Sequence, residues 1–221
     1  MNMDKSKKAQ RALYRTAIDL VEMGKSELAE ETYKLALELD PDDYRSITNL
    51  AVIIYKAGRQ AEAEELYLKT AHPPFYDEHA MFNLGYLYSR QGKNDKAEIW
   101  YRRAIVAYPR YFEAYVNLAV LKQTLGNDQE AEALLRRALE IEPRDVIANF
   151  ELANIYRKRG EFFEAEMLYR SAVDLGPQNP HALYNLASFL VERGRENEAQ
   201  EYFDLAYQCD VEGRLKQGGH K

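Results

Sequence analysis

Apolar residues recur along the chain at helical spacing, and the whole pattern repeats every 34 residues. Leu50, Ile53, Ile54 and Ala57 stand at positions i, i+3, i+4 and i+7, which is the spacing of one face of an α-helix. Gly58 follows this stretch, and a second helical pattern follows the glycine. Because glycine readily adopts a positive φ, it is expected to end the first helix. Each repeat therefore predicts two helices of about 14 residues joined by a short turn.

The period divides most of the chain into six repeats without insertions. Each repeat has a glycine at its turn and an alanine five residues later. We expect the repeats to stack, because each can bury its apolar face only against its neighbours. The predicted segments are a polar lead-in at 1–9, repeats at 10–43, 44–77, 78–111, 112–145, 146–179 and 180–213, and a polar tail at 214–221.

Small and aromatic residues at fixed positions indicate how the repeats pack. In the third repeat these are Gly85 on the first helix, with Ala97, Tyr101 and Ala104 on the second. Small residues allow helix axes to approach closely, and an aromatic side chain then fills the space between helices. We therefore expect the tyrosine register to be buried.

The 34-residue period, the triplet Ala97, Tyr101 and Ala104, and the closing Pro109 resemble the tetratricopeptide repeat family over residues 10–213. This resemblance implies an all-α fold, a right-handed α-solenoid of six helix-turn-helix repeats. It also implies that the first helices line a concave groove and the second helices form the convex back. The function implied is that of a non-catalytic scaffold or adaptor for protein partners.

Two repeats depart from the pattern in ways that predict local structure. Thr70 replaces the usual alanine and a His-Pro-Pro-Phe sequence follows, so the helix is expected to stop near Ala71. Asn149 stands where an apolar residue is usual, and a buried asparagine needs a hydrogen-bond partner. The alternative is that Phe150 or Ile147 takes over the contact.

Composition excludes several classes of function. Hydrophobic residues make up 46% of the chain, which argues against disorder, and the net charge of −6 argues against bulk attraction to nucleic acid. Cys209 is the only cysteine, so neither an internal disulfide nor a cysteine metal cluster is expected. The start lacks a secretory signal, and no apolar run approaches the roughly 18 residues of a membrane helix. We expect a cytoplasmic protein without membrane insertion.

Catalytic and metal-binding motifs are missing from the sequence. It has no zinc-protease, phosphate-loop, dinucleotide or nucleophile-elbow motif. His79 and His181 are three repeats apart, so they are not expected to share a metal. We therefore predict no enzyme activity, no cofactor and no metal.

The candidate site is the groove-facing side of the first helices. Asn49, Asn83, Asn117 and Asn185 share one register, and an amide can both donate to and accept from an extended peptide backbone. Alternatively, these amides bond a neighbouring helix. The predicted partner-binding residues are Arg45, Asn49, Tyr55, Lys56, His79, Phe82, Asn83, Tyr86, Arg90, Asn117, Asn154, Arg157, Lys158 and Asn185.

Charge and aromatic content refine the expected partner. The groove positions hold seven cations and four carboxylates although the whole chain is acidic, which predicts a mild preference for acidic segments. The alternative is ordinary scatter of charge on a solvated face. Tyr55, Phe82 and Tyr86 are expected to form side-chain pockets, unless they belong to the core.

The C-terminal end of the array suggests other functions. Few residues follow the sixth repeat, so Phe203, Leu205 and Tyr207 are expected to be partly uncovered. An exposed apolar end predicts homo-oligomers formed by stacking, whereas a tail folded back over it would prevent them. A third alternative is that the chain is the interaction domain of a larger enzyme or complex.

Overall fold

The computed structural model describes residues 3–218, and the side chains of residues 5–211. Within this range the chain forms twelve α-helices and no strand, which confirms the all-α fold of helical repeats. The helices are α1 (Met3–Glu22), α2 (Ser26–Leu39), α3 (Tyr44–Lys56), α4 (Gln60–Ala71), α5 (Glu78–Arg90), α6 (Asn94–Ala107), α7 (Phe112–Thr124), α8 (Asp128–Ile141), α9 (Val146–Arg159), α10 (Phe162–Leu175), α11 (Pro180–Glu192) and α12 (Glu196–Gly218).

The helices belong to two compact units. The N-terminal unit ends at Pro109 and contains α1 to α6, and the C-terminal unit begins at Arg110 and contains α7 to α12. In each unit an odd-numbered helix packs most extensively on the even-numbered helix that follows it. Each even-numbered helix also packs on the next odd-numbered helix of its unit. We call the odd-numbered helices first helices and the even-numbered ones second helices.

The recurrent glycine ends the first helix of every repeat in a left-handed conformation, with φ between 70° and 83°. At Gly58 the backbone N–H bonds the carbonyl of Tyr55, and the N–H of Arg59 bonds that of Ile54. These bonds use carbonyl groups that the end of a helix leaves without partners. The predicted turn is therefore confirmed in its backbone geometry.

The core follows the predicted register of small and aromatic residues. Tyr33, Tyr67, Tyr101 and Tyr169 are almost fully buried, and each such ring stabilises its unit by about 2–3 kcal/mol. The glycine at position 85 has a steric explanation, because a Cβ atom there would lie 2.6 Å from Cδ1 of Tyr101. The ring thus occupies the space that a methyl group would need.

The connection between α4 and α5 differs from the others. As predicted, α4 ends at Ala71, and six residues separate it from α5 where four separate the other neighbouring repeats. The buried Thr70 hydroxyl lies 3.0 Å from that of Thr48, which donates to Asp77 Oδ2 at 2.5 Å. Asp77 also accepts from the backbone N–H of His79 and so caps α5. The threonine that departs from the family pattern thereby anchors the longer connection.

This connection also contains unusual backbone. The Pro73–Pro74 peptide bond is cis, and Tyr76 has a φ of 51°. A left-handed conformation costs a residue with a Cβ atom about 1 kcal/mol or more. The backbone N–H of Tyr76 bonds the carbonyl of His72 at 3.3 Å within this connection.

Asn149 is buried and has a partner, as a buried amide requires. Its Nδ2 donates to the backbone carbonyl of Asp145 at 2.8 Å. Phe150 is also buried, whereas Ile147 is exposed. The amide is therefore satisfied within its own helix.

The end helices are longer than the helices between them. Helix α1 begins at Met3, within the predicted lead-in, and α12 continues to Gly218, past the predicted end of the sixth repeat. Residues 1, 2 and 219–221 of the predicted lead-in and tail lie outside the described residues.

Candidate partner-binding face

The first helices of the N-terminal unit border a cavity of about 550 Å³, which we call the α3–α5 cavity. It is lined by Tyr14, Tyr44, Arg45, Thr48, Asn49, Val52, Asp77, Glu78, His79 and Asn83. Four of the residues predicted from the sequence are thus brought together: Arg45, Asn49, His79 and Asn83. We call the surface around it, formed by α1, α3 and α5, the first-helix face of the N-terminal unit.

Two aspartates hold the helix ends that border this cavity. Asp43 caps α3 by accepting from the backbone N–H of Ser46 at 3.3 Å, and it also accepts from Gln10 Nε2 at 2.6 Å. Asp77 caps α5 through the N–H of His79 at 3.2 Å. Because capping side chains satisfy free N–H groups in the first turn, they fix where the cavity-lining residues lie.

The two asparagines of this cavity differ in their bonding. Asn49 Nδ2 lies 3.3 Å from the hydroxyl of Tyr14 and donates to it. The Tyr14 ring in turn packs edge-on against the buried Tyr33. The half-buried Asn83 has no side-chain hydrogen bond within the described part of the chain. Asn49 therefore supports the neighbouring helix, while the Asn83 amide is available to a ligand.

The predicted cations of the N-terminal unit are exposed and have no carboxylate partner among residues 5–211. This holds for Arg45, Lys56 and Arg90. The Arg45 guanidinium lies over the ring of Tyr44, 5.7 Å from its centroid. Its Nε donates to the Tyr44 hydroxyl at 3.4 Å, which leaves the two terminal NH2 groups to donate to a ligand.

The predicted aromatic residues are divided between core and surface. Phe82 is half-buried and packs on the core residue Tyr101, with ring centroids 5.9 Å apart. Tyr55 and Tyr86 pack edge to face at 6.0 Å, and Tyr86 is 40% exposed. Burial raises the pKa of Tyr55, so its hydroxyl remains a neutral donor at physiological pH.

In the C-terminal unit the predicted amides are bonded internally. Asn117 and Asn185 each donate to the backbone carbonyl four residues earlier, at 2.9 Å. Asn154 Oδ1 accepts from the buried Tyr169 hydroxyl at 2.5 Å, and its Nδ2 donates to Glu151. Burial raises the pKa of Tyr169 to about 12, which keeps this donor protonated.

The predicted cations of the C-terminal unit are also paired. Arg157 Nε lies 3.5 Å from a carboxylate oxygen of Glu192, and Lys158 Nζ lies 3.1 Å from one of Asp128. Their charges are therefore balanced within the unit.

The three residues predicted for oligomer contact differ in exposure. Phe203 is half-buried, and its ring packs on Tyr184 at 5.8 Å. Leu205 is 45% exposed and Tyr207 is 67% exposed. Two of the three side chains are thus open to solvent.

Six cavity residues lie outside the set predicted from the sequence. Tyr44, Asp77 and Glu78 stand at the borders between repeats, next to the ends of first helices. The predicted set contains only residues on the faces of first helices. The position of Tyr44, Asp77 and Glu78 at the repeat borders is the sequence feature that indicates them.

The second helices carry a ladder of glutamates that the prediction also missed. Glutamate follows the recurrent alanine in five repeats: Glu30, Glu64, Glu98, Glu132 and Glu166. Arg59, Tyr88 and Arg195 each reach back to the ladder glutamate of the preceding repeat, at 2.8, 2.6 and 2.8 Å. Lys34 and Arg59 hold the pKa of Glu30 below its ordinary range. The ladder therefore links neighbouring repeats.

The described residues offer neither a metal site nor a membrane helix. No group of three or more His, Cys, Asp or Glu residues among them could hold a metal ion. No described helix has the length and apolar content that crossing a bilayer requires.

Most of the chain matches models of one repeat family. Residues 14–74, 116–180 and 150–210 match a family model described as tetratricopeptide repeat, and a second model of that description matches 79–111. No curated protein matches the chain.

Several solved structures have a similar fold. The pilF protein of Pseudomonas aeruginosa is 20% identical, with 90% of each chain covered and a TM-score of 0.80. A Parabacteroides merdae tetratricopeptide repeat protein is 22% identical, covering 95% of this chain and 87% of its own, with a TM-score of 0.69. One from Thermus thermophilus is 23% identical, covering 83% of this chain and 100% of its own, with a TM-score of 0.66. At these identities the similarity shows the fold alone.

Proposed function

Because the chain belongs to the tetratricopeptide repeat family, a family of protein-interaction scaffolds, we propose that its N-terminal unit holds an extended segment of a partner protein. The segment lies on the first-helix face of that unit, across the α3–α5 cavity. The protein acts by bringing its partner into place and performs no chemistry on it.

The observation that carries this proposal is the available amide of Asn83 in the α3–α5 cavity. This half-buried amide has no side-chain hydrogen bond in the described residues, so its donor and its acceptor are both open to a ligand. An extended backbone offers a carbonyl and an N–H to such an amide. Asn83 is therefore the residue best placed to bind a partner backbone.

The unpaired cations support a preference for acidic segments. Arg11, Arg15, Arg45, Lys56 and Arg90 lie on first helices of the N-terminal unit, and none has a carboxylate partner in the described residues. Charge-assisted hydrogen bonds are roughly twice as strong as neutral ones. A carboxylate of the partner would gain such bonds on this face.

Affinity capture from the native organism, followed by mass spectrometry, would identify the partner. Overlapping fluorescent peptides of that partner would then be titrated against the full chain by anisotropy. We expect the double substitution Asn83→Ala and Arg90→Glu to weaken the bound peptide by about tenfold or more.

The matched control is Asn117→Ala with Arg157→Glu in the C-terminal unit, where both side chains are already bonded. It should leave the affinity unchanged. Equal losses in both double variants, or no loss in either, would contradict the proposal.

A second candidate function is self-association through α12. The exposed apolar side chains of Leu205 and Tyr207 favour it, because exposed apolar patches often mark protein contacts. Light scattering over a range of concentrations would test it. A mass that rises with concentration and returns to that of a monomer in Leu205→Asp/Tyr207→Asp is expected, and a constant monomer mass rules it out.

A further inference from the structure

A second cavity of the N-terminal unit, between α4 and α6, lies apart from the first-helix face. We propose that it binds a protein segment that inserts a large apolar side chain and carries an acidic residue beside it. We call it the α4–α6 cavity, and it shares no lining residue with the α3–α5 cavity. The chain would then hold two partner segments on one unit.

The α4–α6 cavity has the size and lining of an apolar binding site. Its volume is about 630 Å³, within the range of protein sites that bury a ligand. Its apolar lining residues include Ala71, Pro73, Tyr76, Met81 and Val106. Val106 is 80% exposed and Tyr76 is 57% exposed, so large apolar side chains face solvent here. Covering them would be favourable.

The irregular connection after α4 forms one wall of this cavity. Helix α4 has 12 residues where the second helices α2, α6, α8 and α10 have 14. Pro73 and Tyr76 of the connection therefore lie where a regular repeat has a shorter link. Tyr76 is also held at a positive φ. Residues with sparsely populated backbone angles cluster at functional sites, which agrees with a binding role.

Charge at the rim specifies the partner. The lining includes Arg102, Arg103 and His72 but no carboxylate. Arg102 is paired with Glu98 at 2.9 Å. Arg103 has no carboxylate partner among the described residues, and its guanidinium stacks on Trp100 at 4.6 Å from the ring centroid.

The stacked guanidinium of Arg103 is ready to bind an anion. Stacking fixes the orientation of the plane and leaves its N–H groups free at the edge. The edge-to-face contact of His72 with the same Trp100 ring, at 5.5 Å, holds this part of the rim together. A carboxylate beside an inserted apolar side chain would complete an arrangement that is cationic at the rim and apolar inside.

A phage library of random dodecapeptides, panned against the full chain, tests the proposal before any natural partner is identified. Panning against Arg103→Glu in parallel removes peptides that bind elsewhere. We expect the enriched peptides to combine Leu, Phe or Trp with a neighbouring Asp or Glu. A fluorescein-labelled enriched peptide should bind the wild-type chain and lose about tenfold or more in affinity in Arg103→Glu and in Val106→Asp.

Matched controls separate this site from its surroundings. Ile99→Asp changes a half-exposed residue of α6 outside the cavity, and Arg144→Glu reverses an exposed charge of the C-terminal unit. Neither should alter peptide affinity. Thermal unfolding of Arg103→Glu and Val106→Asp should stay close to that of the wild type, because both side chains are exposed and an exposed cation–π contact stabilises only weakly.

The same peptide also separates this proposal from the proposed function. Its affinity should be unchanged in Asn83→Ala/Arg90→Glu, whereas a partner of the first-helix face loses affinity there. The α4–α6 proposal is overturned if no sequence is enriched, if the enriched peptides lack acidic residues, or if Arg103→Glu binds them as well as the wild type does. Self-association of the chain that Arg103→Glu abolishes would overturn it as well, because the occupant would then be a second copy.

Discussion

One position of the repeat holds a cation in both units. The cations are Lys56 and Arg90 in the N-terminal unit and Lys158 in the C-terminal unit. Lys158 pairs with Asp128, which lies thirty residues earlier. At the corresponding positions the N-terminal unit has Ser26 and Gln60. These side chains have no charge, so the two cations of that unit stay unpaired. The residue facing a cation, more than the cation itself, decides whether it is available to a partner.

The asparagine register shows the same contrast. In the C-terminal unit Asn117 and Asn185 bond their own helices, and Glu151 replaces asparagine in the fifth repeat. In the N-terminal unit the Asn83 amide is without a bond in the part of the chain described. The C-terminal face thus uses its polar groups for stability, and the N-terminal face keeps some of them for binding.

The largest effect is expected when a bonded amide of the C-terminal unit is removed. Asn154→Ala leaves the buried Tyr169 hydroxyl without this acceptor, which should lower the free energy of unfolding by about 2 kcal/mol. Asn83→Ala, which removes an unbonded amide of the N-terminal unit, should stay within about 0.5 kcal/mol of the wild type. Urea unfolding followed by circular dichroism measures both. Similar losses in the two variants would refute the contrast.

The next effect concerns Gly85, whose register holds alanine throughout the C-terminal unit. Gly85→Ala raises helix propensity by about 1 kcal/mol, but its Cβ would meet the Tyr101 ring at 2.6 Å. Overpacking of this kind costs about 1–3 kcal/mol, so we expect a net loss of up to about 2 kcal/mol. The fourth repeat has Ala119 at the position of Gly85 and Leu135 at the position of Tyr101.

Adding Tyr101→Leu to Gly85→Ala should therefore recover part of that loss, and a double-mutant cycle in urea would show favourable coupling. If the two losses are simply additive, the close contact does not explain the glycine.

A smaller effect is expected from placing an aspartate in the N-terminal unit at the position that corresponds to Asp128. Gln60→Asp should pair with Arg90 and lower the affinity for an acidic partner segment about three- to fivefold, the worth of one exposed ion pair. Gln60→Asn is the matched control without charge. Anisotropy titrations at low and high salt measure the effect, which added salt should reduce. An unchanged affinity at low salt would show that Arg90 does not contact the acidic group.

The smallest effect concerns pH and Glu151. Burial raises the pKa of this glutamate above its ordinary range, while Asn154 and Lys158 act in the opposite direction. The folded state therefore binds the proton more tightly than the unfolded state. Stability falls as pH rises from about 4.3, where an exposed glutamate titrates, through the raised pKa.

Glu151→Gln lacks this ionisation, so it should be more stable than the wild type at neutral pH by under about 1 kcal/mol. The difference should vanish at acidic pH, where the wild-type side chain is protonated. Urea midpoints at several pH values measure it, and a difference that does not depend on pH would contradict the assignment.

The repeat fold could be predicted from the sequence because its determinants are local or lie between neighbouring repeats. Glycine at the turn acts through its own φ, and the alanine and tyrosine registers act on the adjacent helix. The end of α4 at Ala71 followed from Thr70 and the prolines for the same reason. Such short-range rules can be read without coordinates.

The site was predictable only in part. Helix periodicity placed Asn83 and Asn117 in one register, but it could not show that one amide is free and the other bonds the carbonyl of Glu113. That difference depends on a rotamer and its surroundings. The α4–α6 cavity was also not predicted, because it needs the path of the connection and the stacking of Arg103 on Trp100 together.

The hydrogen bonds that join the side chains of Thr48, Thr70 and Asp77 to one another lie within residues 44–77. That segment is one full 34-residue period, since α4 is two residues shorter and the link after it is two residues longer. The side chains that anchor the longer connection are thus contained in the repeat itself. Because the period is kept, a gene duplication or a designed graft of 44–77 is expected to carry the longer connection to a new place in a repeat array without changing the register of the helices that follow.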